Sequence, residues 1–80
     1  MPKDLDINLE IEKFASNMIS NFDKSVGKDG WKGDDKWWYL AKLAIAVREL
    51  EDAMVNKSKK VNEKSCNVAN IAMIISDLCK

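Results

Sequence analysis

The residues that interrupt helices are confined to two short regions of this chain. Pro2 is the only proline, and the three glycines, Gly27, Gly30 and Gly33, fall within one segment. Because proline and glycine are the poorest helix formers, the stretches outside these regions can form long helices. With 80 residues, 46% of them hydrophobic and 32% charged, the chain has the size and composition of one globular domain.

The first predicted helix spans residues 9–24, with Asn8 as its N-cap. Apolar residues recur there at the spacing of one helical face: Ile11, Phe14, Ala15, Met18, Ile19 and Phe22. Residues 4–9 alternate between polar and apolar, which also fits a short strand. The sequence leaves open whether this segment is strand, helix or disordered.

The second predicted helix spans residues 35–55 and is capped by Asp34 or Asp35. Its apolar residues form one broad stripe: Tyr39, Leu40, Leu43, Ala46, Val47, Leu50, Ala53 and Met54. Others lie on the far side of its first turns: Trp37, Ala41, Ala44 and Ile45. A helix that is apolar on more than one side is covered from more than one direction. Because the chain is short, we expect the second cover to be another copy, in a homodimer or homotetramer.

The third predicted helix spans residues 61–78 and follows a basic turn that contains Lys57, Lys59 and Lys60. The turn fits either a solvated loop or a phosphate clamp. Along the helix, one line and its flank carry mostly apolar residues: Val61, Ser65, Val68, Ala72, Ile75 and Cys79, with Ile71, Ile74 and Leu78 beside them. The predicted fold is all-α, a three-helix protomer whose bundle is completed by oligomerisation.

The composition excludes several classes of chemistry. The chain has no histidine, which rules out Ser-His-Asp and Cys-His machinery and an imidazole zinc site. Hydrolysis would have to use carboxylates and a bound divalent ion. The 13 basic residues balance the 13 acidic ones, so net charge provides no attraction to a DNA or RNA duplex or to a membrane.

The sequence features favour a cytoplasmic protein. Residues 1–6 lack the basic and apolar regions of a signal peptide. The longest apolar run, residues 37–41, is far shorter than the roughly 20 residues that span a bilayer. Cys66 and Cys79 are too far apart along one helix for a disulfide, so we interpret both as buried thiols in a reducing compartment.

Five segments in a fixed order resemble a known family. They are Ile11-x-x-Phe14-Ala15-x-x-Met18, Asp29-Gly30-Trp31, residues 37–43, residues 49–54 and residues 67–77. Together they span roughly residues 9–78 and resemble small phage proteins of the MazG-like superfamily. The resemblance implies an all-α protein that forms dimers or tetramers. It also implies nucleoside-triphosphate pyrophosphohydrolase activity, in which Mg²⁺ assists cleavage between the α- and β-phosphates.

The metal-binding motifs of that superfamily are degenerate here. The superfamily uses Glu-x-x-Glu on one helix and Glu-x-x-Asp on the next. Glu49 matches the second position of the first motif, whereas Ala46 stands at the first. Lys64 and Asn67 stand where the second motif has its Glu and Asp. With three of the four ligands lost, the resemblance implies a protein that kept the fold, lost the magnesium chemistry and needs no cofactor. The Lys64 ammonium could occupy the cation's place, against Glu49 or against a phosphate.

The main functional hypothesis is a catalytically inactive protein that binds a nucleotide or cyclic nucleotide. In a phage, it could sequester a nucleotide signal of host defence. The candidate binding residues are Trp31, Lys36, Trp38, Lys42, Glu49, Lys64, Asn67 and Asn70. Lysine would hold phosphate and tryptophan would stack on a base.

The same residues are also compatible with purely structural roles. The lysines are compatible with a solvated edge of the second helix, and Trp38 with the core of an interface. Trp31 is compatible with a lid over the site or with a plug that fills the loop. Asn67 and Asn70 fit contacts with a ligand or with each other across a bundle.

Two other functions remain as alternatives. The chain could be a protein-interaction module that presents exposed tryptophans, or the segment Leu5-Ile7-Leu9, to a host protein. It could also be a Mg²⁺-dependent pyrophosphohydrolase with an altered ligand set of Glu49, Asp52 and Glu63.

Overall fold

The computed structural model describes residues 6–22 and 30–80, and within these ranges it contains three α-helices and no strand. Helix α1 spans Ile7–Ser20, α2 spans Lys36–Val55 and α3 spans Val61–Leu78. The all-α prediction is confirmed. The observed bounds of α2 and α3 lie within one residue of the expected ones.

Helix α1 begins two residues earlier than the sequence pattern predicts. Its N-cap is Asp6, whose carboxylate accepts a hydrogen bond from the Leu9 N–H at 3.2 Å. Asn8 therefore lies inside the helix, and its prediction as the N-cap is wrong, because Asp6 already caps the first turn. The strand option for residues 4–9 fails from Ile7 onward. Residues 1–5 and the predicted last residues of the helix, 23–24, lie outside the described ranges.

Helices α2 and α3 form an antiparallel pair joined by a short turn. Asp35 caps α2 as predicted, with its Oδ1 accepting from the Trp37 N–H at 2.9 Å. At the other end the chain leaves α2 through a Schellman motif. The Ser58 N–H bonds the Ala53 carbonyl at 2.9 Å, and Lys57 adopts a left-handed φ of 53°. This reversal brings the first turn of α3 beside the last turns of α2.

A small core lies between α2 and α3. It is built from Tyr39 and Ala46 of α2 against Ile71 and Ile74 of α3. Helix α1 packs on α3 and makes no contact with α2, and none of its side chains is buried. The described part of the chain is therefore a helix pair with a third helix on one side.

The apolar stripe expected on α2 is only partly covered. Tyr39, Ala46 and Ala53 are buried, but Leu40, Val47 and Met54 are exposed. The reason is that, of the two other described helices, α3 alone packs against α2, and α1 packs on α3 instead. The exposure of these three residues corrects the expectation of one continuous buried stripe.

The buried side of α3 is also rotated from the expected line. Its buried residues are Cys66, Asn70, Ile71 and Ile74, whereas Ala72 and Cys79 are exposed. The expectation of two buried thiols is thus correct for Cys66 and wrong for Cys79, which lies just beyond the end of α3. Burial raises the pKa of the Cys66 thiol. Within residues 6–22 and 30–80, each helix is too short or too polar to cross a membrane.

Candidate functional site

Lys64 and Glu49 face each other across the helix pair. The Lys64 Nζ lies 3.4 Å from the Glu49 Oε1. Both residues are among the candidate binding residues predicted from the sequence, and one lies on each helix. Both side chains remain accessible, with exposed fractions of 30% and 46% respectively. An ion pair this exposed contributes little to stability, so Lys64 can exchange one anionic partner for another.

The pair lines an open pocket of about 330 Å³, which we call the lysine pocket. Its lining residues come from the end of α2, the turn and the start of α3: Glu49, Asp52, Ala53, Asn56, Ser58, Lys60 and Lys64. Two ammonium groups and two carboxylates therefore share one cavity with a hydroxyl and an amide. Such a mixture can bind a ligand that carries both anionic and hydrogen-bond donor groups.

The N-terminus of α3 opens beside the lysine pocket. Its N-cap is Lys60, which makes no side-chain capping hydrogen bond because an ammonium has no acceptor. The Lys60 N–H itself donates to the Ser58 Oγ at 3.0 Å. The first N–H groups of α3 and the helix dipole favour an anion at this end. The lysine pocket thus combines side-chain cations with a helix end of positive potential.

Trp38 and Lys42 form a second group near the start of α2. The Lys42 Nζ lies 4.8 Å from the centroid of the Trp38 ring, and the Tyr39 ring stands nearly perpendicular to that ring at 4.9 Å. Trp38 is 54% exposed and lines a cavity of about 350 Å³ with Asp34 and Asp35. This ring can stack on an aromatic ligand, and the carboxylates accept hydrogen bonds.

Tyr39 and Lys36 border this second group. The Tyr39 hydroxyl donates to the Asp34 Oδ2 at 2.8 Å, and burial together with this hydrogen bond raises the tyrosine pKa. Lys36 lies over Trp37, at 5.8 Å from its ring centroid, and not over Trp38. The structure therefore pairs Lys42, rather than Lys36, with the candidate stacking ring.

The two groups are separated along α2. Trp38 and Glu49 lie eleven residues apart, which corresponds to about 16 Å of helix rise. Trp38 and Lys64 line different cavities within one copy. Asn67, one turn beyond Lys64 on α3, is half-buried and does not line the lysine pocket.

Trp31 is tied to the far end of α3. Its indole N–H donates to the Asp77 Oδ2 at 2.8 Å, and its ring packs against Phe22 at 5.5 Å. Lys32 donates to the same oxygen, and Lys80 lies 3.4 Å from the other. Hydrogen bonds from Lys32 and Trp31 lower the Asp77 pKa to about 2. This geometry corresponds to the plug interpretation of Trp31.

Asn70 lies inside the fold, apart from the lysine pocket. Only 1% of it is exposed, and its Nδ2 donates to the Met18 carbonyl at 3.0 Å. The bond joins α1 to α3. It also lines a mostly apolar groove of about 450 Å³, together with Ala15, Met18, Ile19, Phe22 and Met73.

Sequence reasoning missed part of the lysine pocket and the contacts that Asp77 makes with Trp31, Lys32 and Lys80. The available signal for Asn56 and Ser58 was that asparagine and serine favour turns, and these two residues lie in the turn between α2 and α3. Two of the partners of Asp77, Lys32 and Trp31, lie 45 and 46 residues away along the chain, so no local pattern indicates these contacts.

The altered ligand set of the hydrolase alternative is only partly assembled. Glu49 and Asp52 line the lysine pocket, whereas Glu63 does not. Across the described ranges, no three acidic or thiol side chains gather into a candidate metal site.

Comparison with known proteins does not extend this description. The chain matches no protein-family model, no curated protein and no solved structure.

Proposed function

We propose that this protein binds a nucleotide or cyclic nucleotide and does not hydrolyse it. The observation that carries the proposal is the Lys64 ammonium, 3.4 Å from Glu49 in an open pocket. The sequence resemblance would place magnesium ligands at these positions. An ammonium group at this position attracts phosphate without a metal, and unlike a metal ion it does not activate a water molecule.

Phosphate is the ligand group that best fits the lysine pocket. Lys60 and Lys64 supply ammonium donors, and the first turn of α3 supplies N–H groups. On binding, the Lys64 ammonium would turn from Glu49 to a phosphate oxygen. Because Glu49 is exposed, solvent would hydrate its carboxylate after the exchange.

The biological setting follows from the resemblance to phage proteins. A phage protein that binds a nucleotide tightly and leaves it intact would sequester a signal of host defence. We propose that it acts in the cytoplasm of a bacterial host, as a homodimer or homotetramer. The oligomer would cover the apolar residues that a single copy leaves exposed.

Titration calorimetry with a panel of mono-, di- and cyclic nucleotides tests the proposal. We expect binding of at least one nucleotide, with equal affinity in Mg²⁺ and in EDTA. Lys64→Gln should weaken that binding about tenfold or more, because a charge-assisted contact to phosphate is lost. Lys13→Gln is a matched control, since Lys13 also lies 3.4 Å from a glutamate, Glu10, but on α1. It should leave affinity unchanged.

Two results would contradict the proposal. One is the absence of binding across the whole panel. The other is release of pyrophosphate that requires Mg²⁺ and is abolished by Glu49→Gln, which would identify the hydrolase alternative instead.

A second candidate function is a protein-interaction module. The observation that favours it is the exposed apolar surface of α2, where Trp37 is 67% and Ile45 61% exposed. On α1, Ile7 and Leu9 are also exposed, while Leu5 lies outside the described residues. Capture of one stoichiometric host protein, lost in Trp37→Ser, would support this function, and an unchanged capture would contradict it.

A further inference from the structure

The two sides of the lysine pocket carry opposite charges. The end of α2 contributes Glu49, Asp52 and Asn56, which lie at positions i, i+3 and i+7 and therefore on one side of the helix. The start of α3 contributes Lys60 and Lys64, which lie one turn apart. The pocket thus has an acceptor side with two carboxylates and a donor side with two ammonium groups.

Charged groups on both sides of the pocket are available to a ligand. Glu49 and Lys64 pair with each other at 3.4 Å. Within residues 6–22 and 30–80, neither the Asp52 carboxylate nor the Lys60 ammonium forms an ion pair. Both of these side chains are exposed. A ligand can therefore contact one anion and one cation without breaking any contact of the fold.

Asp52 and Lys60 stand where the helix dipoles disfavour their charges. Asp52 lies in the last turn of α2, where the dipole disfavours a carboxylate, and this turn contains no basic residue. Lys60 is the N-cap of α3, where the dipole disfavours a cation. Both residues line the lysine pocket. Local preferences are broken in this way at functional sites.

A phosphate group alone satisfies only the donor side of the pocket. It would bind Lys60, Lys64 and the first N–H groups of α3. Glu49 would then lose its partner, and both Glu49 and Asp52 would face the bound anion without a donor between them. Like charges at this proximity raise the free energy of the complex. A well-bound ligand therefore also carries hydrogen-bond donors that reach the acceptor side.

A ribose supplies such donors beside a phosphate. Its 2′- and 3′-hydroxyls can donate to carboxylates, as ribose does to an acidic side chain in dinucleotide-binding folds. Its 5′-phosphate leaves the ring from the opposite face, which points toward the donor side. A base fits the pocket less well, because none of the described lining residues has an aromatic ring on which it could stack.

We propose that the lysine pocket recognises the ribose and the phosphate of a ribonucleotide and discriminates against 2′-deoxyribonucleotides. This inference rests on the proposed nucleotide binding. Lys60 and Lys64 bind the phosphate, and the ribose hydroxyls donate to Glu49 and Asp52. The volume of about 330 Å³ lies at the small end for ligand sites, so the sugar phosphate fills the pocket and the base points out of its open side.

Matched pairs of nucleotides test the recognition of the sugar. Each mono- and diphosphate of the panel, such as ADP, is titrated by calorimetry beside its 2′-deoxy counterpart. We expect the ribonucleotide to bind about tenfold more tightly, because the deoxynucleotide lacks a hydrogen bond to a charged acceptor. Equal affinities within the pairs, or a preference that follows the base rather than the sugar, would overturn the proposal.

Removal of the carboxylates tests which residues recognise the sugar. In a Glu49→Ala, Asp52→Ala double variant, the affinity for the ribonucleotide should fall to that for the deoxynucleotide, so that their ratio approaches one. The affinity for the deoxynucleotide should not fall, because the same substitutions remove repulsion of phosphate. Since the ratio compares two ligands on one protein, partial unfolding does not change it. A tenfold ratio that persists in the double variant would overturn the role of the two carboxylates.

Glu51→Ala is the matched control for this variant. Glu51 is an exposed carboxylate of the same helix, but it does not line the lysine pocket. The tenfold ratio should persist in Glu51→Ala. A ratio that falls equally in this control would overturn the assignment to Glu49 and Asp52.

The outcomes separate this inference from the proposed function. If nucleotides of the panel bind and the two members of each pair bind equally, the recognition of ribose is wrong while the proposed function stands. If no nucleotide of the panel binds, both fail.

Discussion

At the scale of single residues, two polar side chains fix how the elements of the fold meet. Asn70 joins α1 to α3 through the Met18 carbonyl. Asp77 joins the residues before α2 to the end of α3 by accepting from Trp31 and Lys32. A buried amide without its partner is costly, and a carboxylate with several donors is stabilised as the anion. The lysine pocket lies at the opposite end of the helix pair, and these contacts do not close it.

The lowered pKa of Asp77 predicts a dependence of stability on pH. The pKa is about 2 in the folded protein, below the usual 3.8, so the folded state binds its proton less readily than the unfolded state. The stabilisation by Asp77 is therefore complete above about pH 4 and is lost as the pH falls toward 2. In Asp77→Asn, the free energy of unfolding should fall less steeply over that interval. The indole N–H resonance of Trp31 should titrate with a midpoint near pH 2. A midpoint near 3.8 would contradict the hydrogen bonding of this carboxylate.

At the scale of elements, α1 is held more weakly than α2 and α3. Among the described helices it packs on α3 alone, it has no buried side chain, and the hydrogen bond from Asn70 joins it to α3. Segments with little burial open at low free energy. Helix α1 is thus a weakly attached helix beside the pair of α2 and α3, which carries the candidate site.

Hydrogen exchange measures this difference. Amides of α1 should exchange faster than those in the centres of α2 and α3. Asn70→Ala should speed exchange of α1 about a further fivefold, because a hydrogen bond of about 1 kcal/mol is lost. Ser76→Ala, at an exposed position on α3, is the control and should leave α1 unchanged. Equal protection of all three helices would contradict the weak attachment of α1.

The sequence predicted the helices and offered a contact between Lys64 and Glu49, but it did not predict how the helices pack against one another. The bounds of α2 and α3 follow from caps and from uninterrupted helical periodicity, which are local properties. Alignment of the two motifs anticipated that Lys64 would lie against Glu49. Asn70 could not be distinguished from a ligand-binding residue, because its partner is a backbone carbonyl 52 residues away. The exposure of Leu40 and Val47 depended on where α1 lies, which no local pattern specifies.

At the scale of the whole molecule, the buried core of the described residues is small. In the described ranges the buried residues are Tyr39, Ala46, Ala53, Cys66, Asn70, Ile71 and Ile74. Trp37, Ile45 and Val47 of α2 remain exposed, and Trp38 and the lysine pocket lie apart along this helix. The proposed homodimer or homotetramer would cover these apolar side chains.

Native mass spectrometry of the purified protein, incubated with the nucleotide panel, tests the central claim most directly. It reports the number of subunits and the bound nucleotide in one spectrum. We predict an assembly with an even number of copies that carries intact nucleotide, and loss of that nucleotide in Lys64→Gln but not in Lys13→Gln. A monomer, or an assembly that takes up no nucleotide from the panel, would contradict it.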